Sequence, residues 1–364
     1  MQNFIKIFKY VTPFVLYILG YLSFTKSGLY AWTPLLYTFF MVPLVELFIA
    51  PNPANLDTAE EQLAKANKWY DVVLWCTVPI QYFVLYTFLT HIGSSQSNLD
   101  TLGSIIGMGL LCGAFGINVA HELGHRTNKF EQFLAKSLLL TSLYMHFFIE
   151  HNKGHHKHVA TPDDPSTAKF KQSVYAFWIQ TFIGTYLSAW HIAIEDAKKK
   201  QRSLPIVFNE MMLFQLIQIG LVFLIFINFG FMITAYFILA ALIGAILLET
   251  VNYIEHYGLQ REKGAGELFE RVKPHHSWNS NHIIGRLMLF ELSRHSDHHY
   301  MASRKYQVLR NMDEAPQMPT GYPGMIILSL FPPLWFKIMI PPLGGSLFVL
   351  GWLFAAAAAL KKAA

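Results

Sequence analysis

Charged side chains are scarce in this sequence. Asp, Glu, Lys and Arg make up 14% of its 364 residues, against about 25% in an ordinary soluble domain. With 53% hydrophobic residues and a mean hydropathy of +0.32, that shortage argues against a water-soluble globular chain and for a membrane-embedded one. Cysteine is scarcer still: Cys76 and Cys112 both lie inside apolar runs. Two are too few for a disulfide framework or a thiolate-held cluster, which excludes iron–sulfur centres within the chain. The net charge is +5, but the basic residues are not interleaved with aromatics in a stripe, so no nucleic-acid partner is expected. Histidine, by contrast, is plentiful, and most of the 16 histidines fall into tight clusters.

The apolar runs predict an all-α integral membrane protein, because about 20 apolar residues cross roughly 30 Å of hydrocarbon as a helix. Spans are expected near residues 10–24, 30–50, 70–90, 101–120, 210–228 and 231–250. The last two come from one stretch, Met211–Leu248, that lacks Asp, Glu, Lys and Arg. As one helix it would measure about 57 Å, too long for a single crossing, and Asn228, Phe229 and Gly230 supply a turn. Lys6 and Lys9 could open a signal peptide, but no small-x-small cleavage site follows at Ser23–Gly28, so a retained first helix is expected. Gln132–Ile149 and Ser173–Ile194 are apolar but interrupted by Lys136, His146 and His191, and read as helices lying at the interface. Five glycines between Gly103 and Gly116 read as tight helix packing. With the N-terminus inside, Lys26 alone of the Lys and Arg residues faces outward, so both termini and the histidine-rich region are expected in the cytoplasm. Residues 1–340 read as a single membrane-embedded domain. The segment 341–364, with its run of alanines, is a low-complexity tail to which no function is assigned.

The chemistry lies in the histidines. His121-Glu122-Leu123-Gly124-His125 ends the fourth span, and residues four apart share a helix face, so both imidazoles can reach one metal. Zinc proteases use the same H-E-x-x-H spacing, yet two more clusters follow. Glu150-His151-Asn152-Lys153-Gly154-His155-His156 pairs His151 with His155 on one face and turns His156 about 100° away. His295-Ser296-Asp297-His298-His299 repeats the pattern. His256, at the end of the sixth span, delivers a ninth imidazole at the same membrane depth. Nine nitrogens exceed one ion's needs and suit two, four- and five-coordinate on the protein side. Imidazole suits Fe, Zn, Cu and Ni alike, so ligand type does not choose the metal. Glu122, Glu150, Glu255 and Asp297 each adjoin a candidate ligand and are expected to orient it, a direct bridge between metals being the sharper alternative. His91, His146, His158, His191, His275, His276 and His282 are read as structural.

Four segments, HELGH at His121–His125, EHNKGHH at Glu150–His156, NYIEHYGL at Asn252–Leu259 and RHSDHH at Arg294–His299, resemble the histidine boxes of membrane-bound alkane 1-monooxygenases. The resemblance runs over about residues 10–340, and Arg126 departs from the Lys of many members. It implies a non-haem di-iron enzyme of the bacterial inner (cytoplasmic) membrane that uses O₂ to convert medium- and long-chain linear alkanes to primary alcohols. Its metal ligands would be His121, His125, His151, His155, His156, His256, His295, His298 and His299. Electrons would come from rubredoxin, supplied by an NADH-dependent rubredoxin reductase. Alkanes dissolve in the bilayer, so a lateral apolar channel is expected, with Ile117, Leu248 and Leu292 as its lining. Basic residues near the third cluster, Lys273, Arg286, Arg294, Arg304, Lys305 and Arg310, would either face an acidic electron donor or simply obey the positive-inside rule. The alternatives are a related oxygenase or desaturase acting on acyl chains or methylarenes, and more remotely a metal transporter, whose ligands would sit near the bilayer midplane.

Overall fold

The computed structural model describes residues 6–93, 97–199, 209–264 and 268–341; the expected tail at 341–364 lies, apart from Pro341, outside them. The described residues are helical, with two isolated bridges, Lys263 to Phe269 and Asn279 to Gln317, and no strand. Five helices are long and apolar enough to cross a membrane: α1 (Lys6–Thr25), α2 (Gly28–Glu46), α4 (Trp69–His91), α5 (Asn98–Gly124) and α9 (Glu210–His256). Between them run the short α3 (Thr58–Ala66), α6 (Lys129–Thr141), α7 (residues 147–158) and α8 (Val174–Lys199). After α9 come α10 (Ile283–Met288), α11 (His295–Tyr300), α12 (Tyr322–Ser329) and α13 (Pro332–Met339).

The long α9 is not straight. At Gly230 the backbone takes φ 79° and ψ 177°, a region essentially reserved for glycine. On a straight helix Gln218 and Glu249 would lie about 46 Å apart. Yet the adjacent residues Met145 and Tyr144 reach them, Met145 N–H donating to Gln218 Oε1 at 3.0 Å and Tyr144 O–H to Glu249 Oε1 at 2.7 Å. Two neighbouring residues touch both only if α9 folds back at Gly230 into antiparallel arms, the hairpin the sequence suggests.

Helix α5 is central, with 89% of its apolar stretch buried, whereas α2 leaves most of its surface facing outward. Its glycines explain the fit. A Cβ built on Gly109 would stand 2.5 Å from Ile243, and one on Gly244 would stand 2.6 Å from Cys112. Helix α5 and the second arm of α9 therefore approach as closely as small residues permit. This contact brings the end of α5 that bears His121 toward the end of α9 that bears His256.

Two expectations change. The second span stops at Glu46 rather than Ala50, since Glu46 is buried and accepts the Gly285 N–H at 2.7 Å. Gln132–Ile149 is not one interfacial helix: α6 ends at Thr141, Leu143 takes a left-handed φ of 49°, and α7 starts afresh at Phe147. That break lets α7 turn its histidines toward α5. Gly230→Ala should cost about 1–3 kcal/mol through backbone strain alone, because nothing lies within 4 Å of the added methyl; thermal unfolding in detergent should show a lowered midpoint.

Candidate metal centre

The nine histidines converge into two groups. His121, His125, His151, His156 and His298 form one, and His155, His256, His295 and His299 the other; within each, the ligand atoms lie within 4.8 Å of one another. The first group is chained through ring nitrogens: His125 Nε2 to His121 Nε2 at 3.4 Å, His151 Nε2 to His125 Nε2 at 3.2 Å, His156 Nε2 to His151 Nε2 at 3.0 Å and His298 Nε2 to His156 Nε2 at 3.1 Å. In the second, His256 Nε2 and His295 Nε2 are 3.1 Å apart, while His155 Nε2 and His299 Nε2 are buried with no partner.

These spacings suit metal binding. Two imidazoles bound at right angles to one ion at about 2.1 Å stand about 3.0 Å apart, and at a tetrahedral angle about 3.4 Å. Burial favours the form that ligates: it lowers the pKa of His156 to about 3 and pushes those of His295, His298 and His299 well below the ordinary range, leaving neutral imidazoles with free lone pairs.

Local helix geometry sorts the ligands. On α11, an ordinary α-helix, His295 and His299 are four apart and share a group, while His298 turns to the other. On α7 the expected pairing is reversed. His151–His155 is a π-helical turn, whose wider coil brings His151 beside His156, five residues on, and sends His155 to the second group. An α-helix would have placed His151 with His155.

Of the four carboxylates expected beside the ligands, only Glu255 meets a candidate ligand. Its Oε2 lies 3.2 Å from His295 Nε2, and its Oε1 accepts from Tyr322 O–H at 2.8 Å. Glu122 lies about 100° around the helix from His121 and pairs instead with Arg126 at 2.5 Å, also accepting the Tyr306 N–H at 3.1 Å. For the same reason Asp297 faces Arg304 at 3.1 Å and the Arg310 N–H at 2.8 Å. Glu150 is buried against Ser188 Oγ at 3.4 Å. The orienting carboxylate that sequence reasoning missed is Asp164, whose Oδ2 sits 2.9 Å from His155 Nδ1 and also accepts from Thr167 Oγ1 at 2.6 Å. Its signal was the TPDDPST stretch, where turn-forming residues can fix an aspartate in place.

A third cluster, Glu270, His275 and His276, also lies close together. His276 Nδ1 accepts the Lys273 N–H at 3.0 Å, so the neutral ring carries its proton on Nε2, which faces Glu270 at 3.2 Å. These contacts hold the His276 ring in place. The six basic residues near the third cluster do not form a free basic face. Arg286 and Arg294 engage Glu291, Arg304 and Arg310 engage Glu61, Lys305 engages Asp71 and Lys273 engages Glu270.

An apolar slot with about 40 Å³ of free space lies among α2, α5, the second arm of α9 and α12, well below the roughly 300–1,000 Å³ of small-molecule sites. Of the residues expected to line a channel, Leu248 and Leu292 border this slot and Ile117 does not. The lining stripe of α5 runs through Leu110, Gly113, Ala114 and Asn118, and Ile117 is one residue, about 100°, away from Asn118. Asn118 precedes His121 on α5, and Leu292 lies in the turn ahead of α11 and His295, so the slot lies near segments that carry histidines of both groups.

A helical bundle with five helices fit to cross a membrane and two buried histidine groups that could hold metal is the class that fold and site define. Residues 101–329 match the fatty acid desaturase family. Alkane 1-monooxygenase 1 of Pseudomonas aeruginosa is 40% identical over 304 residues, 82% of this chain and 79% of the relative. Alkane 1-monooxygenase 1 of Alcanivorax borkumensis is 34% identical, covering 89% of this chain and 80% of the relative. The xylene/toluene monooxygenase hydroxylase component XylM of Pseudomonas putida is 30% identical over 67% of this chain and 64% of its own length. The chain belongs to the alkane 1-monooxygenase family.

Asp164→Asn should lower metal affinity by about 10–100-fold, as loss of an outer partner of a ligating imidazole does. Glu122→Gln, remote from every ring nitrogen, should leave that affinity within a few-fold of the parent; titration of metal into the metal-stripped protein separates the two.

Proposed function

We propose that this chain hydroxylates medium- and long-chain linear alkanes at a terminal carbon, giving primary alcohols, with O₂ as oxidant and rubredoxin, fed by an NADH-dependent reductase, as electron donor. The observation that carries this reading is the convergence of nine histidines into two groups, with an apolar slot among the helices that carry them. Two iron ions, one per group and held by the nine histidines, supply the O₂ activation that side chains alone lack. Asp164 holds the His155 ring in one orientation, and Glu255, braced by Tyr322, reaches the metal-facing nitrogen of His295. Glu122 and Asp297 act further out, tying the histidine-bearing segments to Arg126, Arg304 and Arg310, while Glu150 packs beneath His151.

Terminal selectivity follows from shape. Methyl C–H bonds are stronger than internal ones, so an enzyme that attacks them must win by position. The slot lined by Leu16, Phe39, Leu110, Leu248, Leu292 and Ile326 is narrow, and parting these side chains would admit a linear chain end-on while excluding water. Leu248 and Leu292 guide the chain; Ile117 packs behind. Methylarenes and acyl chains, the substrates of the rival reading, are wider or carry polar heads.

In this reading both arms of α9 cross the bilayer, making six spans within one domain over residues 1–340, and the N-terminus and the histidine end face the cytoplasm of a bacterial inner membrane. The clustering of Lys and Arg at that end supports the orientation. In a background lacking Cys76 and Cys112, Asn228→Cys should react with an impermeant thiol reagent from outside intact cells, and Lys129→Cys only after lysis; the reverse pattern would invert the topology.

The activity test pairs chemistry with metal content. Membranes given reductant and octane, stearoyl thioester or xylene should yield 1-octanol as the main product. Purified protein should hold about two irons per chain, and His155→Ala and His298→Ala, one from each group, should each abolish hydroxylation. A single zinc would overturn the proposal.

A further inference from the structure

A cavity of about 510 Å³ opens between the start of α1, the short α3 and the start of α4, and no step of the hydroxylation uses it. Its level follows from the two long helices: α1 begins at Lys6 and α4 at Trp69, so a cavity bordered by Lys6 and Tyr70 sits where both spans leave the bilayer. Trp69 is 65% exposed there, as suits an aromatic ring at headgroup level. Two kinds of surface meet in the cavity. Leu56, Leu63 and Tyr70 give an apolar wall, and Lys6, Lys9 and Glu60 a charged one. Lys6 and Lys9 are three residues apart and share a helix face. Lys6 pairs with Glu60 at 2.5 Å, both side chains being more than a third exposed; such a pair contributes little, so Lys6 can turn to another anion. Lys9 stands 3.7 Å from Glu291, a carboxylate already held by Arg286 at 2.7 Å and approached by Arg294 at 3.9 Å. On the other side of the cavity Glu61 is shared by Lys65, Arg304 and Arg310. Even with Asp297 set against Arg304, the ion pairs flanking the cavity hold seven cations against four carboxylates. Positive charge is thus in surplus beside an apolar wall.

We propose that this cavity binds an anionic phospholipid, its phosphate held by Lys6 and Lys9 and its acyl chains running along α1 and α4 into the bilayer. Basic pockets between span ends hold lipid headgroups in this way. An alkane would leave the surplus charge unmatched, and inorganic phosphate would leave the apolar wall bare. The cavity also borders elements that lead toward the third histidine cluster. Tyr10 O–H, from the same lining, donates to Glu291 at 2.8 Å, and Tyr306 O–H donates to the Tyr70 carbonyl at 3.0 Å, so a lipid seated here braces the first span against the segment that follows α11. The proposal requires that α1 and α4 cross a bilayer; it is independent of what the histidines catalyse.

The test titrates the purified full chain in detergent with phosphatidylglycerol, with phosphatidylcholine of the same chain length and with inorganic phosphate, and reads binding by native mass spectrometry and by the rise in thermal midpoint. The parent should prefer phosphatidylglycerol and take up no inorganic phosphate. The double variant Lys6→Gln/Lys9→Gln should bind phosphatidylglycerol about 30-fold more weakly, the worth of two lysines at an anionic lipid surface. Lys6→Arg/Lys9→Arg, which keeps both charges, should retain binding, and Lys129→Gln/Lys263→Gln, which removes the same charge elsewhere, should bind as the parent does. Should the glutamine pair fail to fold, Leu63→Glu, which sets a carboxylate in the apolar wall, must show the same loss. Equal affinity of the parent for the two lipids, undiminished binding in Lys6→Gln/Lys9→Gln, or an equal loss in Lys129→Gln/Lys263→Gln would overturn the proposal. Inorganic phosphate binding as tightly as the lipid would also overturn it, leaving a bare anion site. A parent that bound the lipid but hydroxylated no octane would sink the functional reading and leave this one standing.

Discussion

Nine imidazoles share one buried space, and the rest of the structure is arranged around bringing them there and aiming them. Charging several of them together would set like charges side by side in a medium of low dielectric. In the five-histidine group the ring nitrogens face one another at 3.0–3.4 Å, a spacing that becomes favourable when a cation lies between them. Their convergence depends on close backbones. Gly109, Gly113 and Gly244 allow α5 and α9 to touch, and the break at Leu143 turns α7 inward.

The two groups are not equivalent. Asp164 and Glu255 both contact the four-histidine group, through His155 and His295. Among the described residues no carboxylate bonds to a ring of the five-histidine group, whose rings contact one another. One site therefore has fewer imidazoles and two carboxyl neighbours, the other more imidazoles and, among the described residues, none. Asn118 and Leu292 line the slot, which places it beside segments that carry histidines of both groups.

Much of this was legible in the sequence. Apolar run length locates the spans, and the turn at Gly230 follows from a stretch too long for one crossing. All nine candidate ligands follow from three clusters and one histidine at a span end. What the sequence could not carry was departure from regular helix. The exchange of His155 and His156 between groups depends on a π-helical turn, invisible to a rule that assumes 3.6 residues per turn. Adjacency also misled: Glu122 and Asp297 neighbour ligands in sequence, yet a helix turns each about 100° away, toward arginines. Asp164 reaches His155 through the tertiary fold, from a loop with no periodicity to read.

The central claim is that each histidine group holds its own ion. Anomalous scattering at the iron edge from the iron-loaded protein tests it most directly. The account predicts two iron peaks per chain, one ringed by His121, His125, His151, His156 and His298 and the other by His155, His256, His295 and His299. A single peak, or iron bound away from these rings, would contradict it.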